Sequence, residues 1–391
     1  MSDARDFFGY KHPDEEPADR PEQADLDDEM APPPLDEAIT LDDPAVLRKI
    51  DPEDMVGRVL ELPRQLAQAR RVANAVELSP RHRDVDGVVV LAMGGSAIGA
   101  ELVAGAAGDR LRVPLIVHRD YHLPRWVSPR TLVIAASHSG DTVETLTAVE
   151  EARQRDLPTV VISTNGRLAT IAHDAGLPYL RYQAPGQPRA AIGFGAGLVH
   201  ELLVSAGLID EPDPFGPVVE SLESLLERIG PSVETAANPA KQLAWSIFGR
   251  IPVVFGAGPM VAVAHRWKTQ FNENAKAWAM YEPMPEANHN AIEGTLNPRE
   301  LSDAVYVIEL REREEAPEIA DRYRVVEELL GERSTTRTVY WTEGPSPLSR
   351  VLNAVAYGDL VSVYLAILYQ TDPTPVTLLS MLKERLARAT D

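Results

Sequence analysis

The sequence predicts an α/β protein made of two doubly wound parallel-sheet domains, each a three-layer α/β/α sandwich, behind a disordered acidic N-terminal tail. Three observations carry this. Short apolar runs alternate along the chain with segments of helical periodicity, the pattern of a parallel sheet wrapped by helices. Two of those runs, Val88–Leu91 and Ile251–Phe255, lead into glycine-rich turns that open helices. The chain has 391 residues, 44% of them hydrophobic, which is too long for one compact domain and rich enough for two cores.

The elements follow in order. Residues 1–40 carry 13 acidic and 3 basic side chains and six prolines, including Pro32-Pro33-Pro34. Such a stretch buries too little apolar surface to offset ordering and reads as a disordered tail. From about residue 41 the pattern turns globular: Leu47, Ile50, Met55, Val59 and Leu62 recur at helical spacing, interrupted at Pro63. Val88-Val89-Val90-Leu91 reads as a buried parallel strand and is followed by a helix through Ile98, Leu102 and Val103. Strands are expected at 113–117, 131–135 and 159–163, and helices at 141–155 and 167–175. Helices at 192–207 and 217–229 bridge to a second unit of the same plan. There a strand at 251–258 runs into a helix ending near 274, strands follow at 304–310 and 337–342, and helices at 347–369 and 377–389 close the chain. The expected division is a tail over 1–40, an N-terminal domain over 41–210 and a C-terminal domain over 211–391.

Composition excludes several classes of function. The chain has 38 basic and 59 acidic residues and a net formal charge of −21. Its average field therefore repels nucleic acid and anionic membranes, and any anion must be held by local devices such as backbone N–H groups, helix N-termini or a placed arginine. The absence of cysteine excludes disulfides, thiolate catalysis and Cys-ligated zinc. The first residues lack the apolar segment of a signal peptide, and no run approaches the ~20 apolar residues of a membrane span. A cytoplasmic protein is expected.

The chemistry is concentrated in three motifs. Met93-Gly94-Gly95-Ser96-Ala97-Ile98-Gly99 follows a strand and opens a helix, where backbone N–H groups and the helix dipole favour an anion. Its glycine order departs from G-x-G-x-x-G, and no acidic residue follows as a ribose clamp, so NAD is not expected. Ser137-His138-Ser139-Gly140-Asp141-Thr142 again joins a strand to a helix, at the edge where open α/β sheets bind ligands. Capping by Ser139 or Asp141 would account for one of these residues but not for three hydroxyls within six positions.

These two motifs together resemble the phosphosugar site of sugar-isomerase (SIS) domains, in which S-x-S-G-x-T is usual at the second position. The resemblance implies that Gly95, Ser96, Ser137, Ser139 and Thr142 bind a phosphate. The third motif spans residues 268–290 and holds Glu273 in Asn-Glu-Asn-Ala-Lys and His289 in Asn-His-Asn, sixteen residues on. It is similar to that of the bifunctional phosphoglucose/phosphomannose isomerases, a branch of the phosphoglucose isomerase superfamily with two SIS domains, over roughly residues 45–391. What that implies is an aldose–ketose isomerase that interconverts glucose 6-phosphate or mannose 6-phosphate with fructose 6-phosphate through a cis-enediol, without metal or cofactor. Glu273 would be the base, and His289, lent by the neighbouring subunit of a dimer, would assist ring opening. Arg189 would stabilise the enediolate, and Lys383 would stand near the ring oxygen. Either Thr374 or Thr377 would be the threonine that admits mannose 6-phosphate.

The residue types suit the reaction. One carboxylate can carry a proton between C2 and C1, an imidazole can exchange a proton with the ring oxygen near neutral pH, and a cation can hold the developing oxyanion. Taken singly, each has a plainer reading: a helix-surface charge for Glu273, a surface arginine for Arg189, a solvated helix face for Lys383 beside Arg385 and Arg388. His200 and His265 lie in expected helices and read as ordinary core or surface residues, and His118, Asp120 and His122 do not match metal-ligand spacing. The alternative function is a phosphosugar-binding SIS regulator without catalysis, and the presence of both Glu273 and His289 argues against it.

Overall fold

The structure, a computed structural model, describes residues 39–298, 304–331 and 335–389. The expected tail lies outside these residues except for its last two positions. The described chain opens with α1 (Pro44–Ile50), α2 (Met55–Leu60) and α3 (Leu62–Asn74). The Asp43 and Asp54 side chains cap α1 and α2 by accepting from Ala45 N and Gly57 N. Pro63 sits in the first turn of α3, where its missing N–H costs nothing, so it starts a helix rather than only breaking one.

The first sheet contains β1 (Gly87–Leu91), β2 (Leu115–His118), β3 (Thr131–Ser137), β4 (Thr159–Ser163) and β5 (Tyr179–Arg181), all parallel, in the order β2-β1-β3-β4-β5. The helices between its strands are α4 (Gly94–Ala107), α5 (Val143–Gln154) and α6 (Gly166–Asp174). The second sheet contains β6 (Ile251–Ala257), β7 (Met280–Met284), β8 (Val305–Arg311) and β9 (Thr336–Trp341), also parallel, in the order β7-β6-β8-β9. Both sheets therefore start in the middle, step to one edge and return across the first strand. This places a switch point between β1 and β3 and another between β6 and β8, where ligand crevices form in doubly wound sheets.

Between the sheets run α7 (Ile192–Ser205), α8 (Phe215–Ile229) and α9 (Pro239–Ile247). The second sheet carries α10 (Met260–Asn274), α11 (Pro317–Gly331), α12 (Pro347–Leu368) and α13 (Thr377–Ala389). Strand residues divide between layers by parity. Val88, Val90, Leu132 and Ile134 face the main core, which continues through α4, α7, α10 and α12 to Val254, Ile308 and Leu310 of the second sheet. Val89, Leu91, Val133 and Ala135 face α5 and α6 on the other side, and Phe255 and Val307 face Tyr323, Val326 and Leu330 of α11.

Five elements among the described residues are absent from the sequence expectation: α3, which begins where an interruption was expected, and β5, α9, β7 and α11. β7 is a half-exposed edge strand containing Pro283, so it lacks the apolar run that marks its central neighbours. The strand expected at 113–117 begins instead at Leu115, because Pro114 has no N–H for the ladder. One composition reading is corrected. The 22-residue helix α12 is long and apolar enough to cross a membrane, but it is entirely covered by protein, so its apolar circumference is that of a core helix.

Candidate active site

The two phosphate-type loops lie side by side because β1 and β3 are neighbours in the sheet. Ser96, in the first turn of α4, accepts a hydrogen bond at Oγ from the His138 backbone N–H at 3.2 Å, which joins the loops directly. In the second loop the Ser137 hydroxyl accepts from Gly140 N at 3.1 Å and shares a 2.8 Å bond with the Thr142 hydroxyl. Ser139 Oγ accepts from Asp141 N at 3.2 Å. Neither Ser139 nor Asp141 caps α5; Asp141 instead accepts from Arg167 N at 3.0 Å. The N-termini of α4 and α5 thus have no side-chain cap, and the first N–H groups of an uncapped helix are available to an anion. Gly140 has φ 76°, and a Cβ there would lie 1.8 Å from the Asn165 carbonyl oxygen, so only glycine fits the turn. His138 Nδ1 meets the Tyr182 hydroxyl at 3.1 Å, and burial pushes the imidazole pKa down.

The first loop also touches the residues that carry charge. A Cβ on Gly95 would stand 3.3 Å from Pro188 O and from Arg189 N, so the glycine lets the loop pack on the short 3₁₀ turn Pro188–Ala191. Arg189 in that turn is 3% exposed. Its guanidinium donates to Asn274 Oδ1 at 2.6 Å, to Glu273 Oε2 at 3.2 Å, and to the carbonyls of Pro373 and Thr374 at 2.6 and 2.8 Å. Burial lowers the Arg189 pKa, while the Glu273 carboxylate opposes that shift.

Glu273 and Asn274 are adjacent at the end of α10, and Asn274 is oriented by its bond to Ser362 Oγ at 2.9 Å. Beneath them Arg266 pairs with Asp359 at 2.7 Å, both buried, and donates to Arg189 O at 2.7 Å. The Glu273 side chain is 32% exposed, so its carboxylate rests on a buried cation with one flank open. The Thr374 hydroxyl, at the same place, is buried and has no hydrogen-bond partner, whereas Thr377 is exposed at the start of α13. A buried hydroxyl without a partner, on a segment whose carbonyls are held by Arg189, calls for an explanation, and a bound polar ligand would supply one.

Of the residues expected from sequence, the structure thus brings Gly95, Ser96, Ser137, Ser139 and Thr142 into one connected loop pair and joins that pair to Arg189 and Glu273. His289 and Lys383 stand apart. His289 is exposed on the 3₁₀ turn Glu286–His289 after β7, Lys383 is exposed on α13, and no hydrogen bond or ion pair links either to Arg189 or Glu273. His200 pairs with Glu201, and His265 with Glu101 while stacking on Tyr281. Among the described residues no group of three or more His, Cys, Asp or Glu side chains is placed to hold a metal ion.

The sequence reading missed four contributors. Asn274 and Lys276 lie inside the quoted motif around Glu273, and their polar side chains near a helix end were the available signal. The Arg266–Asp359 pair spans 93 residues of sequence and left none.

Known proteins resemble this chain in sequence and in fold. The model of the bacterial phospho-glucose isomerase C-terminal SIS domain matches residues 236–386. A bifunctional phosphoglucose/phosphomannose isomerase of Caldicellulosiruptor bescii is 36% identical over 340 residues, 86% of this chain and 100% of that one. Another of the same name, from Aquifex aeolicus, is 33% identical over 77% of this chain and 91% of its own length. In fold, the chain is similar to the crystal structure of a hypothetical protein of Thermus thermophilus, with a TM-score of 0.69 at 17% identity over 88% of this chain and 94% of that one.

Proposed function

The chain belongs to the bifunctional phosphoglucose/phosphomannose isomerase family, and on that premise we propose that it interconverts glucose 6-phosphate and mannose 6-phosphate with fructose 6-phosphate through a metal-free cis-enediol. Its class is that of an aldose–ketose isomerase. The observation that carries the reading is the Glu273–Arg189 pair, packed through the Arg189 turn against the Gly95 phosphate loop. A hexose phosphate held by the Ser96 and Ser137–Thr142 loops has its opposite end within the same connected site.

In the proposed reaction Glu273 takes the C2 proton of the open-chain aldose. The electron pair of that bond becomes the C1–C2 double bond, and the C1 oxygen takes up the displaced carbonyl charge beside Arg189. The C2 hydroxyl then passes its proton to the C1 oxygen as the C2 carbonyl forms, and Glu273 returns the carbon-bound proton to C1, which leaves the ketose with its C1 hydroxyl. Arg189 suits the oxyanion because it is already held in place before charge develops. Thr374, rather than Thr377, is the residue set to meet the sugar near C2, since its hydroxyl is the buried one. His289 acts in ring opening from a second copy of the chain in a homodimer, and Lys383 acts near the ring oxygen. The exposure of both is consistent with completion of the site by a partner surface.

The Glu273→Gln variant tests the reading. It keeps the side-chain volume and an acceptor for Arg189 but removes the base, so kcat falls by about 10³-fold or more and exchange of the C2 proton with solvent ceases, while hexose-phosphate binding persists. Wild-type turnover in that variant sinks the mechanism. Wild-type activity unchanged by EDTA is the expected result, and loss on chelation overturns the metal-free step. Mixing Glu273→Gln with His289→Ala subunits regains activity if His289 works in trans.

A further inference from the structure

We infer that Lys276 is a positioning residue of this site: it fixes the Asp372–Thr374 segment over Arg189 and thereby sets discrimination at the substrate's C2. The inference rests on the assignment of Thr374 above.

Lys276 follows α10 by two residues and takes a left-handed backbone, φ 53°. Glycine occupies such positions without penalty, whereas a residue with a Cβ is strained there. The lysine side chain has a use at this point. Its Nζ folds back to the last carbonyls of α10, Glu273 O at 3.0 Å and Asn274 O at 3.2 Å, and reaches across to Asp372 O at 2.7 Å. The ammonium therefore ties the helix end that carries Glu273 to the segment that carries Thr374.

The tie completes a pattern. Three successive carbonyls, those of Asp372, Pro373 and Thr374, accept from two cations. Lys276 takes the first, and Arg189 takes the second and third. The segment is braced internally as well, since Thr374 N donates to Asp372 Oδ1 at 2.8 Å. With three carbonyl oxygens held, the Thr374 backbone has one orientation and its buried, unpartnered hydroxyl one direction. Arg189 alone leaves the Asp372 end of the segment free to swing. A shift of about 1 Å in a group that reads stereochemistry is enough to change relative rates at C2. The charged groups that face Lys276 are Arg189, Asp372 and Glu273. Loss of solvent around the ammonium, with Arg189 close by, pulls its pKa down to about 8.

The test uses Lys276→Gly in the full chain. Glycine favours the observed backbone, so the variant keeps the helix end while it removes the ammonium and the stem that carries it. The expected result is a native thermal transition, kcat/KM lowered about 10-fold for both aldose phosphates, as for loss of one charge-assisted bond, and a mannose 6-phosphate to glucose 6-phosphate ratio of kcat/KM changed about threefold or more. Lys276→Arg restores the ratio. In wild type the ratio drifts above about pH 8 as the ammonium loses its proton, while Lys276→Arg holds it constant. A Lys276→Gly enzyme with the wild-type ratio overturns the inference, whether or not its kcat/KM falls. Thr374→Val is measured alongside: an unchanged ratio there overturns the role of Thr374, whereas a changed ratio there with an unchanged one in Lys276→Gly overturns the role of Lys276 alone.

Discussion

Replacing Arg189 with lysine keeps the charge and removes the fork, and the structure says what that costs. The guanidinium reaches acceptors in three directions: Asn274 Oδ1, Glu273 Oε2, and the paired carbonyls of Pro373 and Thr374. An ammonium is a single point at the end of a flexible chain and can serve one or two of these four spread acceptors. At least two acceptors then lie without a donor, in a place where Arg189 itself is 3% exposed. Each orphaned buried acceptor costs about 1–3 kcal/mol, so the expected loss of stability is about 2–6 kcal/mol. The enediolate loses a held donor at the same time, a change worth about 10²–10³-fold in kcat. The assay pairs urea unfolding, followed by circular dichroism, with steady-state kinetics on both aldose phosphates. Near-wild-type kcat and a stability change under about 0.5 kcal/mol would show that charge alone suffices and would refute the argument from fork geometry. A loss of stability without a loss of kcat would confine Arg189 to structure.

Two further outcomes follow from single sites. Gly140→Ala drives a Cβ to 1.8 Å from Asn165 O at a backbone of φ 76°, so it distorts the second phosphate loop; KM for hexose phosphates should rise about 10-fold or more with a smaller change in kcat, and an unchanged KM removes this loop from phosphate binding. Glu309, in the centre of the second sheet, is fully buried; neither carboxylate oxygen has a hydrogen bond, Arg337 lies 3.7 Å away, and burial, with Glu327 close by, pushes its pKa up to about 8. Because the folded state holds this proton more tightly than the unfolded chain, wild-type stability falls as pH rises from about 4.5 to about 8. Glu309→Gln removes that dependence and gains about 4 kcal/mol near pH 8 but about 1 kcal/mol or less near pH 5; thermal melts across this range check it, and parallel curves for the two proteins refute it.

The strands and loops of the first sheet were legible because they are central. β1, β3 and β4 are buried on both faces, and such strands must be continuous apolar runs. Glycine and hydroxyl residues then stand out at their ends. α11 was hidden for the opposite reason: its core contacts, Ile319, Tyr323, Val326 and Leu330, are interleaved with charges. In the site, Glu273 and Arg189 were legible only as members of a motif set, since each alone has the look of a surface charge.

By itself, the sequence determined the alternating architecture, the two glycine- and hydroxyl-rich loops and the family to which the chain belongs. These depend on local periodicity and on residues close together along the chain. Tertiary structure alone decided that Arg189 is buried and gathers Glu273, Asn274 and the Asp372–Thr374 segment, and that Thr374 rather than Thr377 presents a buried, unsatisfied hydroxyl. It also decided that Lys276 bonds across 96 residues to hold that segment. The partners in these contacts are 84 to 185 residues apart, and no pattern along a chain records which distant groups will share one desolvated pocket until the core between the sheets has closed around them.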